Sequence, residues 1–520
     1  MIRKTQDLST SIILDLNKYI TKNSEYKIEF VIKPFEKIID IPKEELTYIN
    51  DKYHVDNDAE GADIIISLLN KKLIKSNGRY FIKKFDNANI FIEDQSTGFK
   101  DSKDIMIKFI SNCNILINSA NGPRDYSKLS KGCNNICTMF FARMPIDDNF
   151  INKTWNSNLL KLCFLNGYYD FKTSIFKDYD DETFTTVYIN RNYSDNVDEL
   201  YIKKVYDIIL DPIFSDKNQQ NYILNWFARG IAGHYEEKTW SVGLGSRNSG
   251  KSVITDLFKN TFNSYVGTFN AEEMSSIRVG NGDIAKKLAW CIPFQFRRLN
   301  FSNELKTEDD SGRKIKLDGN IIKSITSGGD EKTARLNFKD EIQFKIQSRM
   351  CLFMNEMIDI SPQDACETLS IFVFPTIFKK NIDEHDDKIN NVEDSIYKIK
   401  KANDDIKNII QNENIQNAFL HIILNSYSKN PLIKPIEIVE NLAKYNDDST
   451  GDDNILNNLF EFTLNKLDRI PLAQYNDIIR LNKLNKSKAQ LILNKNGVVD
   501  LKSMSSRFKI GIKIKIDDIS

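Results

Sequence analysis

The chain has 520 residues, 41% of them hydrophobic and 28% charged, which excludes general disorder and predicts several domains rather than one core. Its 72 Lys and Arg balance 72 Asp and Glu, so bulk positive charge cannot be its route to nucleic acid, and any such contact must use a local basic surface. No uninterrupted apolar run approaches the roughly 18 residues of a membrane span, and Met1 to Leu8 does not read as a secretory leader.

In chain order, Asp63 to Leu73 has helical length and an apolar face. Two strand-like runs come next, Arg79 to Lys83 and Asn89 to Glu93, split by Asp86-Asn87-Ala88. Leu162 to Phe171 reads as a hairpin turning at Asn166-Gly167. The pattern becomes helical from Asp198 to Gly233, and Thr239 to Leu244 reads as a buried strand. Asn381 to Asn414 is polar but keeps Ile and Val at helical spacings, which predicts a solvated helix. Asn446 to Asn454 carries no large apolar residue and is expected to be a linker or mobile loop; beyond it lies a small helix-plus-strand unit ending in the alternating run Phe508 to Ile516. The seven cysteines are scattered without a C-x-x-C pair. A zinc set built on Cys133 and Cys137 with Cys113 or Cys163 matches no paired-ligand spacing, so buried thiols in a reducing compartment are expected.

The segment richest in chemistry is Gly245-Ser246-Arg247-Asn248-Ser249-Gly250-Lys251-Ser252-Val253, which contains G-x-x-x-x-G-K-S between a strand and an amphipathic helix. A loop that wraps a polyphosphate turns backbone N–H groups inward, and that needs glycine where φ is positive or a side chain would collide. The next helix adds its positive end. Lys251 is expected to neutralise the β- and γ-phosphates of ATP, and the Ser252 hydroxyl to ligate Mg²⁺. Further on, Glu304 comes after a short strand and is a candidate to polarise the attacking water, with Asn303 beside it on the metal side. Arg349 to Met354 is an apolar strand ending in Asn355, suited to orienting a γ-phosphate or its water. Between these lies Leu317 to Arg335, where Lys323, Lys332 and Arg335 border the Gly328-Gly329-Asp330 turn and offer mobile basic groups to a phosphate backbone.

In this order the motifs resemble superfamily 3 helicases, specifically the poxvirus-type primase–helicase ATPases of large DNA viruses, phages and mobile plasmids. The resemblance runs from about Leu162 to Pro375, through Phe164-Leu165-Asn166-Gly167-Tyr168-Tyr169-Asp170, Gly230 to Gly233, Arg298 to Glu304, and Lys323 with Gly328-Gly329-Asp330 and Ala334-Arg335, closing at Asn355. It implies an α/β fold: an AAA+-type P-loop ATPase core with a mostly parallel sheet over 238–380, preceded by an α+β region over 1–195 and a helical collar-like segment over 196–237. A helical segment over 381–445 and a small α/β or winged-helix-like domain over 446–520 complete the expected organisation. It also implies a ring, usually a homo-hexamer, that hydrolyses ATP with Mg²⁺ to move on single-stranded and forked DNA during viral or plasmid replication. A separate primase or polymerase is then an expected partner, no membrane is involved, and the setting is cytoplasmic or a viral replication compartment. Lys251, Glu304 and Asn355 take the catalytic roles, Ser252, Asn303 and Glu304 the metal, and Lys323, Lys332 and Arg335 the DNA.

Two departures stand out. No arginine occurs between Arg349 and Arg469, where the family places one that reaches a neighbouring subunit's ATP; Lys379, Lys380, Arg335 or Arg349 must replace it, or hydrolysis is weak. Asp56-Asn57-Asp58 fits a primase metal pair only superficially, because His54 precedes it and the next histidine is His234, which favours a helicase without primase. The alternatives are a nucleotide-binding ring or origin-binding assembly module with little turnover, and a packaging motor.

Overall fold

The computed structural model describes residues 53–69, 72–85, 88–275, 284–308, 315–335, 341–382, 398–463, 465, 467–481, 486–503 and 506–515. Strand β1 (Tyr53–Val55) pairs in parallel with β5 (Ile115–Ile117), and between them run helix α1 (Asp58–Leu69), the antiparallel sheet β2 (Leu73–Ser76), β3 (Arg79–Phe85) and β4 (Ala88–Glu93), and α2 (Lys100–Asn112). Helix α1 starts five residues before the expected Asp63, where Asp58 and Glu60 put two acids on its first turn; Leu73 belongs instead to β2. With α3 (Ser130–Arg143) these elements enclose one apolar cluster around Val55, Ile65, Ile110, Ile136 and Phe140.

After α4 (Phe150–Ser157) comes a three-stranded meander, β6 (Lys161–Cys163), β7 (Tyr168–Asp170) and β8 (Ile175–Lys177). Its first turn is closed by Phe164 N–H on the Gly167 carbonyl, so Leu165 and Asn166 occupy it, one residue earlier than expected. Gly167 serves close approach instead: a Cβ there would stand 2.3 Å from the Lys177 carbonyl oxygen. Helices α5 (Glu199–Val205) and α6 (Lys217–Ala232) are capped by Asp198 and Asp216, and α6 ends on Gly233 at φ 95°. Tyr222 to Ala232 is buried without interruption, so α6 lies inside the core rather than on its surface.

The central sheet is parallel and five-stranded. In chain order its strands are β9 (Trp240–Leu244), β10 (Val266–Phe269, after helix α7, Lys251–Phe262), β11 (Leu299–Glu304), β14 (Arg349–Met354) and β15 (Leu369–Val373); across the sheet the order is β10-β11-β14-β9-β15. Burial on both faces explains the continuous apolar runs: Phe301, Cys351, Phe353 and Phe372 feed one cluster, Val242, Met350, Leu352 and Leu369 the other. Between β11 and β14 the chain inserts helix α8 (Gly319–Ile325) and the hairpin β12 (Glu331–Ala334) and β13 (Ile342–Lys345).

Two expectations fail beyond the sheet. In the stretch expected to be a solvated helix, Lys398–Lys401 is strand β17, parallel to β16 (Thr376–Lys379), because Ile399 alternates with lysines and is buried opposite Ile377; residues 383–397 lie outside the described residues. After α9 (Glu413–Asn425), the expected linker Asn446–Asn454 is the middle of a 24-residue helix, α10 (Ile436–Leu459). Composition misleads there because the helix is anchored at both ends: Leu442 and Tyr445 join the sheet-side cluster, and Leu456 joins a separate one with Ile470, Ile479, Leu493 and Ile512. That last cluster holds β18 (Arg469–Pro471), α11 (Leu472–Leu481), α12 (Lys486–Lys495), β19 (Val499–Ser503) and β20 (Ser506–Ile510), with sheet order β18-β20-β19. The alternating C-terminal run breaks at Gly511, φ 84°, so Ile512–Ile514 pairs with Phe460–Phe462 instead.

Candidate active site

The loop leaving β9 is shaped by its neighbours. Gly245 N–H donates to the Met354 carbonyl, and a Cβ on Gly245 would stand 2.7 Å from the Phe374 Cβ. Asn248 sits at φ 63°, its carbonyl accepting from Phe378 N–H, and Gly250 at φ 91° leads into α7. Both positive φ values fall where Asn and Gly are the residues that tolerate them.

This loop walls a cleft of about 740 Å³ lined by Arg247, Asn248, Ser249, Gly250, Lys251 and Ser252 from the loop and first turn, Thr255 and Asp256 from α7, Thr268 to Asn270 at the end of β10, and Ser302 to Glu304 with Phe353 from the sheet. The Lys251 side chain is only 5% exposed; its ammonium donates to the carbonyls of Gly245 and Ser246, to Asn355 Oδ1 at 3.0 Å, and lies 3.2 Å from Glu304 Oε1. Burial pushes the Lys251 ammonium below its ordinary value, and Glu304 pulls it back. Asn355 Nδ2 in turn donates to Glu304 Oε2 at 3.3 Å, closing a triangle of lysine, carboxylate and amide.

A local irregularity aims Glu304 into the cleft. The pairing of β11 with β14 shifts register between Phe301 and Glu304; Ser302 Oγ accepts the Phe353 N–H, and Glu304 comes level with Phe353 with its side chain 48% exposed. Asn303 is used differently, since its Oδ1 accepts the Ala271 N–H at 2.7 Å and so ties β11 to the turn after β10. The residues fit a nucleotide with Mg²⁺ in part. Glycines keep the cradle open, a buried ammonium waits at its floor, and the Ser252 hydroxyl is exposed toward a cation, whereas the Glu304 carboxylate is held by Lys251 and Asn355 and the Asn303 oxygen by the Ala271 amide.

Among the other expected loop residues, Gly245 and Ser246 contribute carbonyls to Lys251 from behind the cleft, and Val253 packs into the apolar cluster. Sequence reasoning missed Thr255 and Asp256, which share the cleft-facing side of α7 with Ser252; the signal was their i+3 and i+4 spacing from it. Lys332 lies on β12 and Arg335 just after it, so both belong to the inserted hairpin. Lys323 sits apart on α8, bound to Asp364 at 2.8 and 3.0 Å.

Arg349 leaves the set of charges able to reach a neighbour. It is 2% exposed, and donates to the His234 and Trp226 carbonyls and to Glu237, which also takes Arg229. Burial lowers the Arg349 guanidinium to about 10 against the pull of Glu237. His234, Glu236 and Glu237 form the one three-ligand cluster of metal-ligating types among the described residues, and these arginines already occupy Glu237. The Asp56–Asp58 pair is likewise engaged: Asp56 accepts from Asn118 at 2.6 Å, and Asp58 from Tyr126 at 2.6 Å and Asn135 at 3.2 Å. All seven cysteines are buried and unbridged. No helix among the described residues is long and apolar enough to cross a membrane.

No family model matches the chain. The C-terminal region of NrS-1 aligns over 88% of this chain and all of its own length, at 12% identity and a TM-score of 0.39, too low to carry a fold assignment. In sequence, the chain is 28% identical over 245 residues, 46% of its length, to "Putative helicase L207/L206" of Acanthamoeba polyphaga mimivirus, of which it spans 24%. It is 24% identical over 507 residues, 94% of its length, to "Putative helicase V13" of the Sputnik virophage, and spans 60% of that protein. Over nearly its whole length, therefore, this chain is similar to a viral protein described as a helicase.

Proposed function

We propose that the chain is an ATP-dependent DNA helicase of the superfamily 3 type, an AAA+ motor that assembles as a ring, most simply a homo-hexamer, and moves on single-stranded DNA during viral or plasmid replication. The observation that carries this reading is the triangle of Lys251, Glu304 and Asn355, the first two of which line one open cleft, drawn from the start of α7 and the ends of β11 and β14. The strand order, second-third-fourth-first-fifth, supports an AAA+ core, and the likeness to viral helicases supports the direction of the chemistry. In the working cycle the triphosphate replaces the loop carbonyls as the partner of Lys251. Glu304 is thereby released to orient water, and Asn355 reports whether the terminal phosphoryl is present. Mg²⁺, when bound, offsets phosphate charge, with Ser252 and Glu304 as its protein contacts. The hairpin carrying Lys332 and Arg335 is the DNA-facing element, and Lys323, on α8, joins it only by leaving Asp364.

The test is ATP turnover with and without a single-stranded oligonucleotide. The unaltered chain should be stimulated by the single strand more than by duplex. Lys251→Ala should abolish turnover together with tight nucleotide binding, and Glu304→Gln should abolish turnover while keeping binding. A second reading, a nucleotide-binding ring or origin-binding module, draws on the burial of Arg349 and the engagement of Asn303. Near-zero, DNA-independent turnover with intact ATP binding would replace the helicase by that module, and stimulation by duplex alone would point to a packaging motor.

A further inference from the structure

Mg²⁺ at a nucleotide site is held by phosphate oxygens, retained waters and one or two carboxylates. Only two acids line this cleft, Glu304 and Asp256. Glu304 is bonded to Lys251 and Asn355, and once released it has water to orient. Asn303, beside it, is uncharged, and its oxygen holds the Ala271 amide at 2.7 Å. The end of β11 therefore offers the metal no carboxylate without another duty.

Asp256 answers that deficit by its position. It lies on α7 four residues after Ser252, so the two side chains share the cleft-facing side, with Cβ atoms about 5–6 Å apart. Thr255, next to it, turns its hydroxyl back onto the Lys251 carbonyl at 3.3 Å. Asp256 is exposed, and among the described residues its carboxylate is in no ion pair or hydrogen bond. Local structure gives no reason for an aspartate there. It stands past the first turn, where the helix dipole has faded, and Asp is among the poorer residues for a helix interior.

We propose that Asp256 is the metal-side carboxylate of the cleft, a positioning residue that accepts hydrogen bonds from water on a Mg²⁺ held by Ser252 and the nucleotide's phosphates. The inference rests on the ATPase reading of this cleft and deepens it. A carboxylate facing a polyphosphate repels it, and favours it only when a cation stands between the two. Asp256 should thus act in opposite directions with and without metal, which neither a packing role nor a direct contact with the nucleotide would produce.

The test uses the full chain and does not depend on turnover. A fluorescent ADP analogue is titrated in Mg²⁺ and again in EDTA, and electron paramagnetic resonance follows Mn²⁺ taken up in the presence of ADP. Asp256→Asn should raise the Mn²⁺ concentration for half-saturation about tenfold or more, and weaken ADP in Mg²⁺. In EDTA the same variant should bind ADP as tightly as the parent or more tightly, and without ligand it should melt with the parent. Equal weakening with and without metal would overturn the proposal. A parent that binds no nucleotide would overturn the ATPase reading and this inference with it, whereas a parent and an Asp256→Asn variant that bind Mg²⁺ and ADP equally well would overturn this inference alone.

Discussion

Glu237→Gln is the sharpest test of how the core under the candidate site is held. Glu237 is 18% exposed and receives Arg229, 4% exposed, through two nitrogens and Arg349, 2% exposed, through a third. Other guanidinium N–H groups of both arginines donate to carbonyls: Ser428 and Lys429 for Arg229, His234 and Trp226 for Arg349. The amide keeps the shape and removes the charge, leaving two buried cations without the carboxylate they are bonded to, and neither can shed its proton at neutral pH. Breaking one buried pair in this way costs about 3–5 kcal/mol. With two cations stranded the upper end applies, and at about 2–4 °C per kcal/mol the melting point of this part of the chain falls by about 10–20 °C. The assay is thermal and urea unfolding beside Asp63→Asn, which breaks the half-exposed pair with Arg143 and should cost under about 1 kcal/mol. Equal, small losses in the two variants would refute the reasoning, since the buried charge would then be solvated from elsewhere.

Local geometry sets two further outcomes. Gly250→Ala places a Cβ 2.7 Å from Ile213 at φ 91°, and should lose nucleotide binding with a stability cost of about 1–3 kcal/mol, read by nucleotide titration and melting; unchanged binding would count against the cradle. Burial alone would raise Asp94 and Asp180, yet hydrogen bonds from Ser102 and Ser96 to the first, and from Thr183 and Tyr168 to the second, take both below the usual 3.8. Their folded values lie under the unfolded one, so their stabilisation is complete above about pH 4 and is lost as pH falls through the folded values. Asp94→Asn should therefore flatten the acid limb of a stability–pH curve below pH 4, and an unaltered limb would reject that assignment.

Three of the five central strands, β9, β11 and β14, were legible from their apolar runs, while the short β10 and β15 were not read; the loop was legible because glycine and lysine at fixed spacing carry a backbone requirement. Glu304 was found by position alone. The register shift that turns it toward Lys251 depends on Ser302 replacing a ladder acceptor, which no periodicity announces. Asn303 looked like a metal-side residue from its neighbour, whereas its oxygen holds the Ala271 amide. The long helix through Asn446–Asn454 was hidden because its anchors lie outside the polar stretch, in two different cores. Arg349 could be struck from the trans-acting charges only once burial was visible.

Helix α10 also sets a phase. Twenty-four residues at 1.5 Å each make a strut of about 36 Å, and each residue added to it turns the chain beyond by about 100°. The C-terminal unit after Phe460 is thus indexed to the sheet like a crank on a shaft: one alanine inserted near Ser449 would swing its α12 away from its former bearing, and a full turn of inserted sequence would nearly restore it, whereas a flexible tether would ignore both.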